Sequence, residues 1–176
     1  MRYPVHLPNH PPIAMTRNSP KTKVCYSTPD LAMLPGHLVR RMQQIAVAIL
    51  LEETKRWDLT PVQCAILITV GKESGIDQRT LAATVGFDTS TIVGVINRLE
   101  TRKLLRRAIS SKDRRVRNLT LTDAGRTLIN AAVPSVMNAQ DRMLAPLSER
   151  EQAEFMRLLR TLVTANNHFS RAPSET

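Results

Sequence analysis

The chain has 176 residues, 42% of them apolar, which is enough for one domain with a proper core and a second apolar surface, and too much for a disordered polymer. Its formal charge of +10 is uneven: positions 75–127 hold eleven Lys and Arg against five Asp and Glu, whereas positions 128–176 hold five of each, so the excess marks a footprint for a polyanion. Cys25 and Cys64 are too few and too far apart for a disulfide scaffold. The longest aliphatic run, Ile45–Leu51, is far below the roughly 18 residues of a bilayer span, so the expectation is a cytoplasmic, nucleoid-associated protein without membrane contact.

Residues 1–34 read as a flexible Pro-rich arm, with Pro4, Pro8, Pro11, Pro12, Pro20 and Pro29 and no apolar period; Met15 is an alternative translation start. A first helix is predicted from Pro35 or Gly36 to Arg56. Leu38, Met42, Ile45 and Ile49 form one apolar row, widened by Val39, Ala46 and Leu50, so this helix faces both its own domain and a partner. A second helix starts at the Thr60 cap with Pro61 at the first helical position and Gln63 bonding back, carries Ile66, Leu67 and Val70 inward, and stops near Gly71 or Gly75.

Asp77 caps a short third helix that ends at Gly86, and Asp88 or Thr89 caps a fourth after about three residues. Two helices joined this tightly form a helix-turn-helix, whose second helix enters the major groove of DNA. On that helix Ile92, Val95, Ile96 and Leu99 share the inner face. Thr91, Gly94, Asn97 and Arg98 look outward, with Thr89 and Ser90 at the start, which is the chemistry for base edges and phosphates. Arg79 and Thr80 on the third helix are weaker phosphate candidates.

Leu104–Ile109 and Val116–Leu121 are strand-forming runs around a polar loop at 110–115, so a hairpin follows the recognition helix as a wing. Between positions 102 and 117 stand Arg102, Lys103, Arg106, Arg107, Lys112, Arg114, Arg115 and Arg117 against the single acid Asp113, a density of like charge that calls for DNA phosphates among them. The bland alternative is that Asp113 and Arg115 merely tie the hairpin with an exposed ion pair, worth about 0–1 kcal/mol.

Thr122 caps a fifth helix, which Pro134 is expected to kink or interrupt. Ser148 and Glu151 open a sixth, whose row Phe155, Leu158, Leu159, Leu162 and Val163 is too apolar for a free surface. The predicted architecture is mainly α with a small β-hairpin wing: a DNA-binding core at 57–126, dimerisation helices at 35–56 and 127–170 meeting across a two-fold axis, and a tail at 171–176.

The residues Leu59, Thr60, Pro61 and Gln63, the segment Asn97, Arg98, Leu99 and Glu100, and above all Lys112, Asp113, Arg114 and Arg115 leading through Leu119, Thr120, Leu121 and Thr122 to Gly125 and Arg126, resemble the MarR family of winged-helix regulators over about residues 35–168. The resemblance implies a homodimer on pseudo-palindromic double-stranded operator DNA, usually a repressor released by a small aromatic acid or phenol, or by an oxidant. It also implies that Arg115 enters the minor groove with Asp113 orienting the loop, and that His37, Arg40, Arg41 and Cys64 line an effector pocket between the dimerisation helices and the winged domain. Two alternatives stand beside it: a winged-helix module that docks on an acidic protein, and a redox sensor acting through Cys25. The four histidines are scattered, and no zinc-spaced cysteine pair or phosphate-cradling glycine loop is present, so no enzyme, cofactor or metal is expected.

Overall fold

A computed structural model of the chain describes residues 30–109 and 116–170. The predicted arm up to position 29 with Cys25, the wing loop with Lys112, Asp113, Arg114 and Arg115, and the tail from 171 lie outside these residues. The last residues of the predicted arm form a 3-10 turn, Leu31–Met33, because the Asp30 carboxylate accepts the Ala32 N–H at 3.0 Å.

Helix α1 (Pro35–Thr54) opens on a proline at its first turn and passes into a second 3-10 turn, Lys55–Trp57. Thr54 makes the junction: its fully buried hydroxyl lies 2.6 Å from the Leu50 carbonyl and 3.2 Å from that of Leu59, one donor shared by two acceptors. Helix α2 (Pro61–Lys72) has the predicted reciprocal cap, Thr60 N–H to Gln63 Oε1 at 2.9 Å and Gln63 N–H to Thr60 Oγ1 at 3.4 Å. It runs through Gly71, and the turn falls at Gly75, whose φ of +89° glycine adopts without a Cβ penalty.

A strand that the sequence does not announce, β1 (Ile76–Asp77), follows. It is too short to show any period. Helices α3 (Gln78–Val85) and α4 (Thr89–Thr101) come next, separated by Gly86, Phe87 and Asp88, with Gly86 left-handed at φ +72°. The hairpin is β2 (Leu105–Ile109) and β3 (Arg117–Leu121), in antiparallel register from Leu105 opposite Leu121 to Ile109 opposite Arg117. The order β1-β3-β2 makes the returning strand central, so β1 fastens the wing to the entrance of the helix-turn-helix.

Helix α5 (Asp123–Leu144) is one unbroken helix, so the interruption expected at Pro134 does not occur. Pro134 and Asn130, whose carbonyl loses its usual donor, are both exposed, and water can take the donor's place there. Ile129, Ala132 and Val136 of α5 join Ile66, Leu67, Leu81, Ile96, Leu99 and Leu119 in one core. At the far ends of α1 and α5, Arg142 pairs with Glu52 and Glu53 while Asn138 donates to Glu53 at 2.7 Å.

Helix α6 (Glu149–Ala165) is different: it buries no residue. Glu151 accepts the Ser148 N–H at 2.9 Å as predicted, yet Leu162 and Val163 remain 60% and 62% exposed. Leu38, Val39 and Ile45 on α1 are exposed as well.

Candidate nucleic-acid interface

The start of α4 is organised by Asp88. Its carboxylate accepts the Thr91 N–H at 2.9 Å, the Thr91 hydroxyl at 2.7 Å and the Ser90 hydroxyl, and those bonds, Ser90 foremost, hold the carboxyl well below the usual carboxylate range. Both hydroxyl protons are therefore spent within the cap, and Ser90 and Thr91 offer a partner their oxygen lone pairs unless the cap opens. Thr89 is exposed beside them. Asp77 plays the same part for α3, accepting the Arg79 N–H at 2.8 Å, the Thr80 N–H at 3.0 Å and the Thr80 hydroxyl at 2.6 Å.

Beyond the cap, Ser90, Gly94, Asn97 and Thr101 fall on one outward row, flanked by exposed Arg98. A Cβ added at Gly94 meets nothing within 4 Å, so no neighbour in the protomer requires a glycine there. Glycine inside a helix costs about 0.5–1 kcal/mol relative to alanine. Gly94→Ala is accordingly expected to raise stability by that amount in a thermal melt.

The basic stretch is less bare than its composition suggests. Arg102, predicted to bind DNA, reaches back from the end of α4 to the Asp58 carbonyl at 2.7 Å and the Trp57 carbonyl at 3.4 Å, with the Asp58 carboxylate 3.7 Å away. It braces the left-handed residue between α1 and α2. Arg107 is neutralised by Glu100, an acid just outside the stretch whose carboxyl the guanidinium holds below its ordinary value. Arg106 donates to the Thr120 hydroxyl across the hairpin at 2.8 Å, and Arg117 opens the returning strand opposite Ile109. The remaining predicted contacts, Lys112, Asp113, Arg114 and Arg115, belong to the loop outside the described residues.

A joint missed as such by sequence reasoning holds the wing to the domain. Thr122 donates its hydroxyl to the Lys103 carbonyl at 2.6 Å and its N–H to the Leu104 carbonyl at 3.1 Å, then caps α5 by accepting the Gly125 N–H at 3.0 Å. The backbone of Leu104 is pressed against Gly125, where a Cβ would sit 2.0 Å from the Leu104 oxygen.

The four effector candidates do not converge. Cys64 is 2% exposed in the core, and burial pushes its thiol up to about 11, so it is not a reactive thiolate. His37 is half-buried in the first turn of α1, while Arg40 and Arg41 are exposed on it. A cavity of about 120 Å³ instead lies between α2, β3 and α5, with Leu67, Gly71, Leu121 and Ile129 against Arg126 and Asn130. Among the described residues no cluster of His, Cys, Asp or Glu is placed to hold a metal ion, and no helix is long and apolar enough to cross a membrane.

A helical core, a helix-turn-helix with an outward polar row, and a sheet-borne basic hairpin together define a winged helix-turn-helix transcriptional regulator. The chain belongs to the MarR family, whose model matches residues 57–116. The PcaV regulator of Streptomyces coelicolor, solved with its natural ligand, is 36% identical and superposes with a TM-score of 0.72 over 80% of this chain and 99% of that one. BpsR of Bordetella bronchiseptica, whose DNA binding is regulated by 6-hydroxynicotinic acid, is 30% identical with a TM-score of 0.73 over 77% of this chain and 96% of its own. The repressor CouR of Rhodococcus jostii, solved on a 23-mer DNA duplex, is 29% identical with a TM-score of 0.72 over 76% of this chain and 94% of its own.

Proposed function

We propose that this MarR-family regulator is a cytoplasmic homodimeric repressor that holds a pseudo-palindromic operator and releases it on binding a small aromatic acid or phenol. The observation that carries the reading is the outward row of α4, open at Gly94 and adjoining the basic hairpin. Each subunit places α4 in a major groove and the tip of its wing in the flanking minor groove, with half-sites about one turn, roughly 10 bp, apart. Arg115 is the wing residue that enters the minor groove, where a narrow A·T-rich segment concentrates negative potential. Arg115→Ala is expected to weaken operator binding about tenfold or more while the dimer stays folded; unchanged affinity in an anisotropy titration removes the wing from the mechanism.

The cavity beside Arg126 supports that effector class, since it sets aliphatic side chains against a cation. Aliphatic side chains beside a cation match a ring bearing a carboxylate, and the cavity of about 120 Å³ must widen to admit one, since roughly 150 Å³ is what takes a benzene ring. BpsR, with 6-hydroxynicotinic acid, supports the same class. His37, Arg40 and Arg41 do not line this cavity. To release DNA the ligand must bind the DNA-incompetent conformation more tightly than the competent one, or it shifts nothing. The test is binding of the full chain to the promoter fragment beside its own gene, against excess competitor DNA and with 6-hydroxynicotinate and benzoate-type acids titrated in. Specific binding relieved by one of these supports the reading. Equal binding to any polyanion favours the docking module instead, and a specific complex that no aromatic acid disturbs sinks the effector class.

A further inference from the structure

Arg107 follows the inner row of β2. Strand alternation puts it on the same face as buried Leu105, opposite buried Leu119, and its side chain reaches the last turns of α4. There its Nε donates to Glu100 Oε2 at 2.8 Å and its backbone N–H to Oε1 at 3.1 Å, and both side chains are only about a quarter exposed, 27% and 29%. The guanidinium also donates to Asn97 Oδ1 at 2.6 Å. A guanidinium has five donors and no acceptor, so it dictates which end of the Asn97 carboxamide it meets. The oxygen faces Arg107, so the amino group is the other end of an exposed side chain on the row that includes Gly94. An unconstrained asparagine suits adenine, taking N6 with its oxygen and N7 with its nitrogen. One whose oxygen already accepts from a guanidinium keeps a single lone pair there and offers its NH2 group as the free donor.

We propose that Arg107, clamped by Glu100, is a positioning residue for specificity: it fixes the Asn97 amide so that α4 shows the major groove an NH2 group, selecting guanine, whose N7 and O6 both accept, over adenine, whose N6 amino group opposes it with another donor. The inference rests on α4 entering the groove. It makes Arg107 part of base recognition without any contact to DNA.

The test is selection by the full-length chain from a library of duplexes with a random core, followed by sequencing of the bound pools. The wild-type protein should enrich a two-fold symmetric sequence. Asn97→Ala should flatten a guanine preference at one symmetry-related pair of positions by about tenfold. Arg107→Met, which keeps an apolar stem, should flatten the same pair equally, and the double variant should add nothing. Arg107→Lys reaches one acceptor at a time and should recover part of the preference. Because Arg107→Met strands the Glu100 carboxylate, the joint replacement Glu100→Met with Arg107→Met is run beside it and should give the same flattened pair. The salt slope of binding should be unchanged in Arg107→Met, since no phosphate contact is lost. The inference is overturned by adenine at the Asn97-dependent pair, by an unaltered preference in Asn97→Ala or in both Arg107 variants, or by a slope smaller by about one, which makes Arg107 a phosphate contact. A wild-type chain that enriches no sequence at all overturns groove recognition itself, and the inference with it.

Discussion

Leu162→Glu is expected to turn the protein into monomers and, through that, to abolish operator binding at concentrations where the wild type saturates. In a single protomer Leu158 and Leu162 are 46% and 60% exposed on a helix that buries nothing, although α6 carries the row of a helix built to be covered. Exposed Leu38, Val39 and Ile45 on α1 offer a surface of the same kind. In the proposed symmetric interface each substitution counts twice, so such a dimer forfeits the burial of two leucines at roughly 1.5–3 kcal/mol each, and two carboxylates resist desolvation besides. The dissociation constant of the dimer should rise at least a hundredfold. A monomer engages one half-site and loses the effective concentration that links two, so DNA affinity falls with it. Sedimentation decides the point: a variant that stays dimeric at micromolar concentration removes α6 from the interface. Leu158→Glu should behave alike.

Gly125→Ala is expected to cost about 3 kcal/mol or more, the upper range for a group forced into filled space. The obstacle is backbone: the new Cβ would meet the Leu104 oxygen at 2.0 Å and its carbonyl carbon at 2.9 Å, and neither can rotate away. Relief requires α5 to withdraw from the turn after α4. That stretches the Thr122 bonds to Lys103 and Leu104, which fix where the wing leaves the domain. For a chain of this size the midpoint should drop by roughly 6–12 °C, and DNA binding per folded molecule should fall as well. Gly94→Ala is the internal comparison, since the same methyl added to this glycine within α4 meets open space and should stabilise. Equal midpoints for the two variants contradict this account of the joint.

The contrast between what the sequence shows and what it hides follows the range of the interactions. Caps are local, so Thr60 with Gln63, Asp77, Asp88 and Glu151 announce their helices within three or four residues. The MarR-family resemblance and the three-residue turn before α4 were legible for the same reason. Arg102 and Asp58 are 44 residues apart, and nothing local tells that this arginine braces a turn. Arg107 was readable in principle. Its place on the inner face of an alternating strand calls for a buried acid, and Glu100 stands seven residues earlier. Counting charge from position 102 onward left Glu100 out and counted Arg107 as a DNA cation. Cys64 shows the opposite error, a polar-looking candidate that helical period alone places in the core beside Leu67.

Two copies of this chain reading one operator is the claim on which the rest depends, and hydroxyl-radical footprinting of the full-length protein on the promoter beside its own gene tests it most directly. The expected pattern is two equal protected blocks about one helical turn apart, each flanked by a protected minor-groove segment that Arg115→Ala alone uncovers. A single protected block, or uniform protection that follows no sequence, contradicts it.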